Sequence, residues 1–194
     1  MVAGMFTLTN RRGRSMLRGA VRTTFLSLLP AVFAFFIPAA HAGDPDYVLK
    51  AKLLIAFGQP QYANWPAGAF PGASSPFVIG VLGDESVSGE LESRAGTRTA
   101  GGRRITIRRA KGPEELKGCH VVFIGKSEIG RASSILSALA GTNALTVSDA
   151  ENFTQQGGGI GLFLRDERFR FHINATAARR AGVVLMAEFL GKGE

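Results

Sequence analysis

Gly125-Lys126-Ser127 stands between an apolar run and a helical one, and these residue types can wrap a phosphate. A phosphate-binding loop also needs a glycine five residues before Gly125, and that position is His120. Gly80 and Gly83 likewise lack the spacing of a dinucleotide-binding turn, so no cofactor is expected. Metal chemistry fares no better. His41 falls in an N-terminal leader, while His120 and His172 fall on separate strands, and Cys119 points to the sheet face opposite His120. Zinc sites cluster three or four ligands, so both remaining histidines read as structural and no metal is expected. There is no G-x-S-x-G and no suggestive Cys-His spacing, and the carboxylates Asp84, Asp149, Asp166 and Glu167 sit in caps and turns. No catalytic residue is expected.

What remains is contact chemistry. Arg103, Arg104, Arg108 and Arg109 can bind an anion or an acidic partner face; the same stripe can be the wet face of an edge strand. Trp65 is a contact candidate or a loop anchor. Open α/β sheets bind ligands beyond the C-terminal ends of their strands. That edge would hold Gly83, Asp84, Lys126, Ser127, Ser148 and Asp149, which are also ordinary cap and turn residues.

The elements that position these residues follow from periodicity. Asp46 to Phe57 reads as a helix, with Val48, Ala51, Leu54 and Ile55 on its stripe and Lys50 and Lys52 off it. A loop broken by Pro60 and Pro66 runs to Pro76. Phe77 to Leu82 is an apolar run suited to a strand buried on both faces. Asp84 caps a helix through Leu91. Arg103 to Ala110 alternates, with Ile105 and Ile107 inward and the arginines outward. Glu114 to Leu116 gives a helical turn, and His120 to Ile124 a second buried strand. Ser127 is expected to cap a helix over Ile129 to Leu139, followed by a strand from Ala144 to Val147. Ser148 to Glu151 matches a capping box opening a short helix. Ile160 to Leu164 and Phe169 to Ile173, joined by a short polar turn, form an antiparallel hairpin. Asn174 caps a last helix carrying Ala178, Gly182, Leu185 and Phe189 on one stripe. The layout is α/β: one three-layer domain, a mostly parallel sheet with an antiparallel C-terminal hairpin, and helices on both faces.

Residues 1–42 read as a cleavable secretory signal peptide. Arg11, Arg12, Arg14, Arg18 and Arg22 precede an apolar run from Phe25 to Ile37, and Ala40-His41-Ala42 supplies the small-x-small cleavage pattern. The run is broken by Pro30 and falls short of the ~20 residues of a membrane span. Translation from Met16 would give a leader of ordinary length. The leader holds five of the 23 basic residues and none of the 15 acidic ones. Residues 43–194 therefore carry 18 basic against 15 acidic side chains, a balance of +3, which argues against nucleic acid as a partner. A lone Cys119 excludes an internal disulfide and reads as a buried thiol.

One series of motifs runs through nearly the whole of residues 43–194: Tyr47-x-x-Lys50-Ala51, Trp65-Pro66, Pro76-Phe77-x-Ile79-Gly80-Val81-Leu82-Gly83 and Gly102-Arg103-x-Ile105. It continues with Leu116-x-x-Cys119-His120-Val121-x-Phe123-Ile124, Leu145-Thr146-Val147-Ser148-Asp149, Phe153, Gly157-Gly158 and Phe171-x-Ile173-Asn174. In order and spacing this resembles the YfiR-like family. The resemblance implies a periplasmic domain without catalytic activity and with a tendency to form a homodimer. It also implies restraint of an inner-membrane diguanylate cyclase through that enzyme's periplasmic region, lowering cyclic-di-GMP and biofilm formation. Relatives fused to signalling kinases make a sensor kinase a further partner. The stretch Phe57 to Asn64 is longer and more proline-broken than the family pattern. With Cys119 alone, redox gating by paired cysteines does not carry over.

Overall fold

The computed structural model describes residues 46–165 and 168–190. The leader, its cleavage site and Met16 lie outside the described residues. In chain order the elements are α1 (Asp46–Phe57), β1 (Ala63–Asn64), β2 (Phe77–Leu82), α2 (Glu85–Ala95), β3 (Thr99–Ala100), β4 (Arg103–Ala110) and β5 (Val121–Ile124). There follow α3 (Ala132–Ala138), β6 (Leu145–Ser148), β7 (Ile160–Arg165), β8 (Arg168–Ile173), α4 (Ala175–Arg180), β9 (Val184–Leu185) and α5 (Ala187–Leu190). Among the described residues no helix is long and apolar enough to cross a membrane.

Seven strands form one sheet in the order β3-β4-β2-β5-β6-β7-β8. The five inner strands β4, β2, β5, β6 and β7 run parallel, and β3 and β8 close the edges antiparallel. β2 is buried along its whole length because the pleat sends alternate side chains into two separate cores. Phe77, Ile79 and Val81 join Val121, Phe123, Leu145 and Val147 under α1, α2 and the C-terminal segment. Val78 and Leu82 join Val122, Ile124, Ile135, Leu139 and Phe153 on the other face, under α3. The α/β, three-layer expectation is met.

Four local expectations are corrected. The last helix ends at Arg180, because Gly182 adopts φ 74. Its N–H donates to Arg179 O and that of Val183 to Ala178 O, a Schellman closure, after which β9 pairs with β1. Ser148 to Glu151 opens turns instead of a helix: Ser148 Oγ accepts from Ala150 N–H at 3.1 Å, and Asn152 sits at φ 60. Ser127 caps nothing. A 3-10 segment, Lys126–Arg131, precedes α3, and Ser127 Oγ donates to Gly83 O. Finally, the arginines of β4 do not share one outward face, as the site geometry shows.

Cys119 is buried beside Gly80 and Leu116, and burial pushes its thiol up to about 11. Only the thiolate is a nucleophile. A thiol reagent at neutral pH should therefore label the native protein only at the rate of unfolding. Stoichiometric labelling within seconds in native buffer would contradict this placement.

Candidate functional site

The strand ends do gather Asp84, Ser127 and Asp149, around Lys50, a residue that periodicity sets off the apolar stripe of its helix. Lys50 is 6% exposed at its side chain, and its ammonium meets Asp149 Oδ2 at 2.6 Å and Asp46 Oδ2 at 3.0 Å. Asp149 is 8% exposed, and its Oδ1 accepts the Lys126 backbone N–H at 3.0 Å. Burial lowers the Lys50 pKa, but the hydrogen bonds and charges of Asp149 and Asp46 outweigh it, leaving the ammonium above its ordinary value. The interior position of Lys50 is thus made tenable by a carboxylate 99 residues along the chain.

Around this pair lies an open cleft of about 490 Å³, lined by Lys126, Phe153, Phe163, Phe169 and His172 among others. A smaller recess of about 270 Å³ shares Asp46, Lys50, Lys126 and Asp149, and extends to Gly83, Asp84 and Ser127. Cleft and recess follow the C-terminal ends of β2, β5 and β6. Gly125 is obligatory there because a Cβ would stand 2.6 Å from Gly83 O, a backbone atom that cannot yield cheaply. The Gly125-Lys126-Ser127 sequence therefore serves strand packing. Asp84 is a working N-cap, accepting from Val87 N–H at 2.9 Å.

The other predicted residues lie elsewhere. Trp65 and Arg103 belong to the opposite, N-terminal end of the strands. Trp65 Nε1 donates to His120 O at 3.2 Å and Asn143 O at 3.0 Å, and its ring stands edge-on to Phe77. Arg103 lies 3.9 Å over the Phe70 ring and donates to the carbonyls of Gly72, Ala73 and Ser75. Arg109, on the same sheet face, pairs with Glu85 and Glu92 of α2. Arg108 turns to the other face and donates to Glu115 O and Lys117 O. Arg104 is exposed and has no polar partner among the described residues. The strand period of two divides the cluster, and three of its four arginines have structural partners.

Of the two histidines, His120 alone is held as a structural residue. His120 precedes β5 and is buried with both ring nitrogens bonded; His172 is exposed on β8 against Phe163. Among the described residues no group of three or more His, Cys, Asp or Glu is placed to hold a metal.

Fold and site together define an α/β module whose buried polar residues Lys50, Ser88, His120, Thr146 and Ser148 are hydrogen-bonded within the fold and whose strand ends form an open cleft. The chain belongs to the YfiR/HmsC-like family, whose model matches residues 47–191. No curated protein matches it.

Proposed function

We propose that this protein is exported, cut after Ala42, and acts as one domain over residues 43–194 in the periplasm. There it restrains a membrane-bound diguanylate cyclase by contact with the enzyme's periplasmic region, and so lowers cyclic-di-GMP. The observation that carries this reading is the family match over residues 47–191. A regulator of this kind acts by occupying a surface and needs no chemistry of its own. Deleting the gene should raise cyclic-di-GMP severalfold and increase surface attachment, with both restored by a plasmid copy. An unchanged nucleotide level, together with no cyclase retained on the immobilised protein, would overturn the proposal. Retention of a sensor kinase instead would reassign the partner.

A second reading rests on the cleft. At about 490 Å³ it falls within the ~300–1,000 Å³ range of ligand pockets and lies where open α/β sheets bind ligands. The protein would then be a small-molecule sensor acting on a membrane signalling protein. A metabolite screen by thermal shift separates the two: a specific, saturable rise in melting temperature supports the sensor.

A further inference from the structure

His120 is 5% exposed and held on every side. Its ring stacks on Phe70 at 4.3 Å and Phe77 at 5.0 Å, with Trp65 edge-on at 6.4 Å. Nδ1 takes the Val78 backbone N–H at 3.0 Å, and Nε2 meets Ala69 O at 3.1 Å. An amide N–H can only donate and a carbonyl can only accept, so this network assigns a neutral ring protonated on Nε2. The ring therefore joins β2 to the segment from Trp65 to Ser75, and the bond to β2 exists only while Nδ1 is bare.

We propose that His120 is a proton-operated latch: protonation of Nδ1 releases the Trp65–Ser75 segment from the N-terminal end of the sheet. Adding that proton sets one N–H against another where Val78 had a partner, so the ring must turn away from β2 and carry Nε2 out of line with Ala69 O. The segment itself, through Trp65, Ala69 and Phe70, presents no charge to the ring, nor do Phe77 and Val78 of β2 or Asn143 ahead of β6. The charged group that bears on it is Arg103 of β4, lying over Phe70. Among the described residues no carboxylate bears on the ring to stabilise an imidazolium. Burial above all, with a smaller push from Arg103, accordingly holds the His120 pKa below its ordinary value, against the pull of the Ala69 carbonyl.

The sign follows by linkage. A lowered pKa in the closed form means the closed form is fully favoured above the open-state value of about 6.5. As pH falls below that, the open form gains population by about tenfold per pH unit, until the closed form also protonates. On the exported location proposed above, His120 would sense the pH outside the cytoplasm.

Trp65 is the single tryptophan of the chain and donates to His120 O, so it reports on the latch directly. Its emission should shift reversibly between pH 7 and pH 4.5. In step, the protection factors of the Val78 amide and of residues 67–75, taken against the intrinsic exchange rate at each pH, should fall at least ~10-fold, while those of β5 and β6 hold. His120→Asn keeps an acceptor for Val78 but cannot titrate, and its emission should be flat over the same range. A flat wild-type profile would overturn the proposal, as would a transition at the same pH in His120→Asn. If that variant does not fold, His120→Gln takes its place, since its amide oxygen also accepts and cannot titrate: a flat profile is expected, and a transition at the wild-type pH overturns the idea. Nitrogen NMR of the imidazole at pH 7.5 gives a check without mutation, since a protonated Nδ1 there would end the argument.

Discussion

Replacing Lys50 by methionine is expected to lower the free energy of unfolding by about 3–5 kcal/mol, because it leaves the Asp149 carboxylate buried without its ammonium. Lys126 N–H still donates to Asp149, which argues for the lower half of that range. For a domain of this size each kcal/mol moves the melting temperature by roughly 2–4 °C, so circular dichroism should record a drop of about 10 °C. The partner change, Asp149→Leu, removes the acceptor of both bonds and leaves Lys50 with Asp46 alone. Combining Lys50→Met with Asp149→Leu should recover much of the loss, since an apolar pair escapes the desolvation that the ion pair must overcome. A double variant as unstable as the sum of the singles would show that the two residues do not act as a pair.

The same pair has a pH signature. With its folded pKa above the unfolded value of 10.5, Lys50 contributes fully below that value and loses its contribution as pH rises through the folded one. The stability gap between wild type and Lys50→Met should hold from pH 7 to about 10 and narrow only above it.

Lys50 also marks the limit of what the chain's pattern discloses. Helix α1 was legible to the residue at both ends, as were β2 and β4, because period and turn residues are local properties. So were the caps at Asp84 and Asn174, where a short polar side chain precedes an apolar run. Helical stripe arithmetic treats a lysine as surface, and nothing near Lys50 announces an acid 99 residues away. Two errors had local warnings. Gly182 after Arg179-Arg180 has the make-up of a helix stop, yet its small size let it pass as part of a stripe. The Ser148 capping-box match is followed by Asn152, Gln155, Gln156 and Gly157, without the apolar period a helix needs. The strand-end set came together because a general rule of α/β sheets fixes where such residues collect. The opposite end, where Trp65 meets His120 and Asn143, depends on contacts across 55 and 78 residues, and no short pattern encodes them.

Trp65→Ala should cost roughly 3 kcal/mol, since the indole packs against Phe77 and bonds two carbonyls. Trp65→Phe keeps most of the packing and loses only the donor. His120 O still accepts from Leu145 N–H, so the strand pairing survives and the cost should be about 1 kcal/mol. Denaturant midpoints read both values. The pair also decides what Trp65 is for. As an anchor, Trp65→Phe should bind the membrane partner with unchanged affinity once folded, and Trp65→Ala should weaken binding only in proportion to its unfolded fraction. Arg104→Glu is the counterpart: the guanidinium has no partner to lose, so stability should move by less than about 0.5 kcal/mol. If the basic strand touches an acidic partner face, that one charge reversal should weaken binding and flatten its loss with salt. A Trp65→Phe variant that is fully stable yet loses its partner would move the contact surface from the strand to the loop.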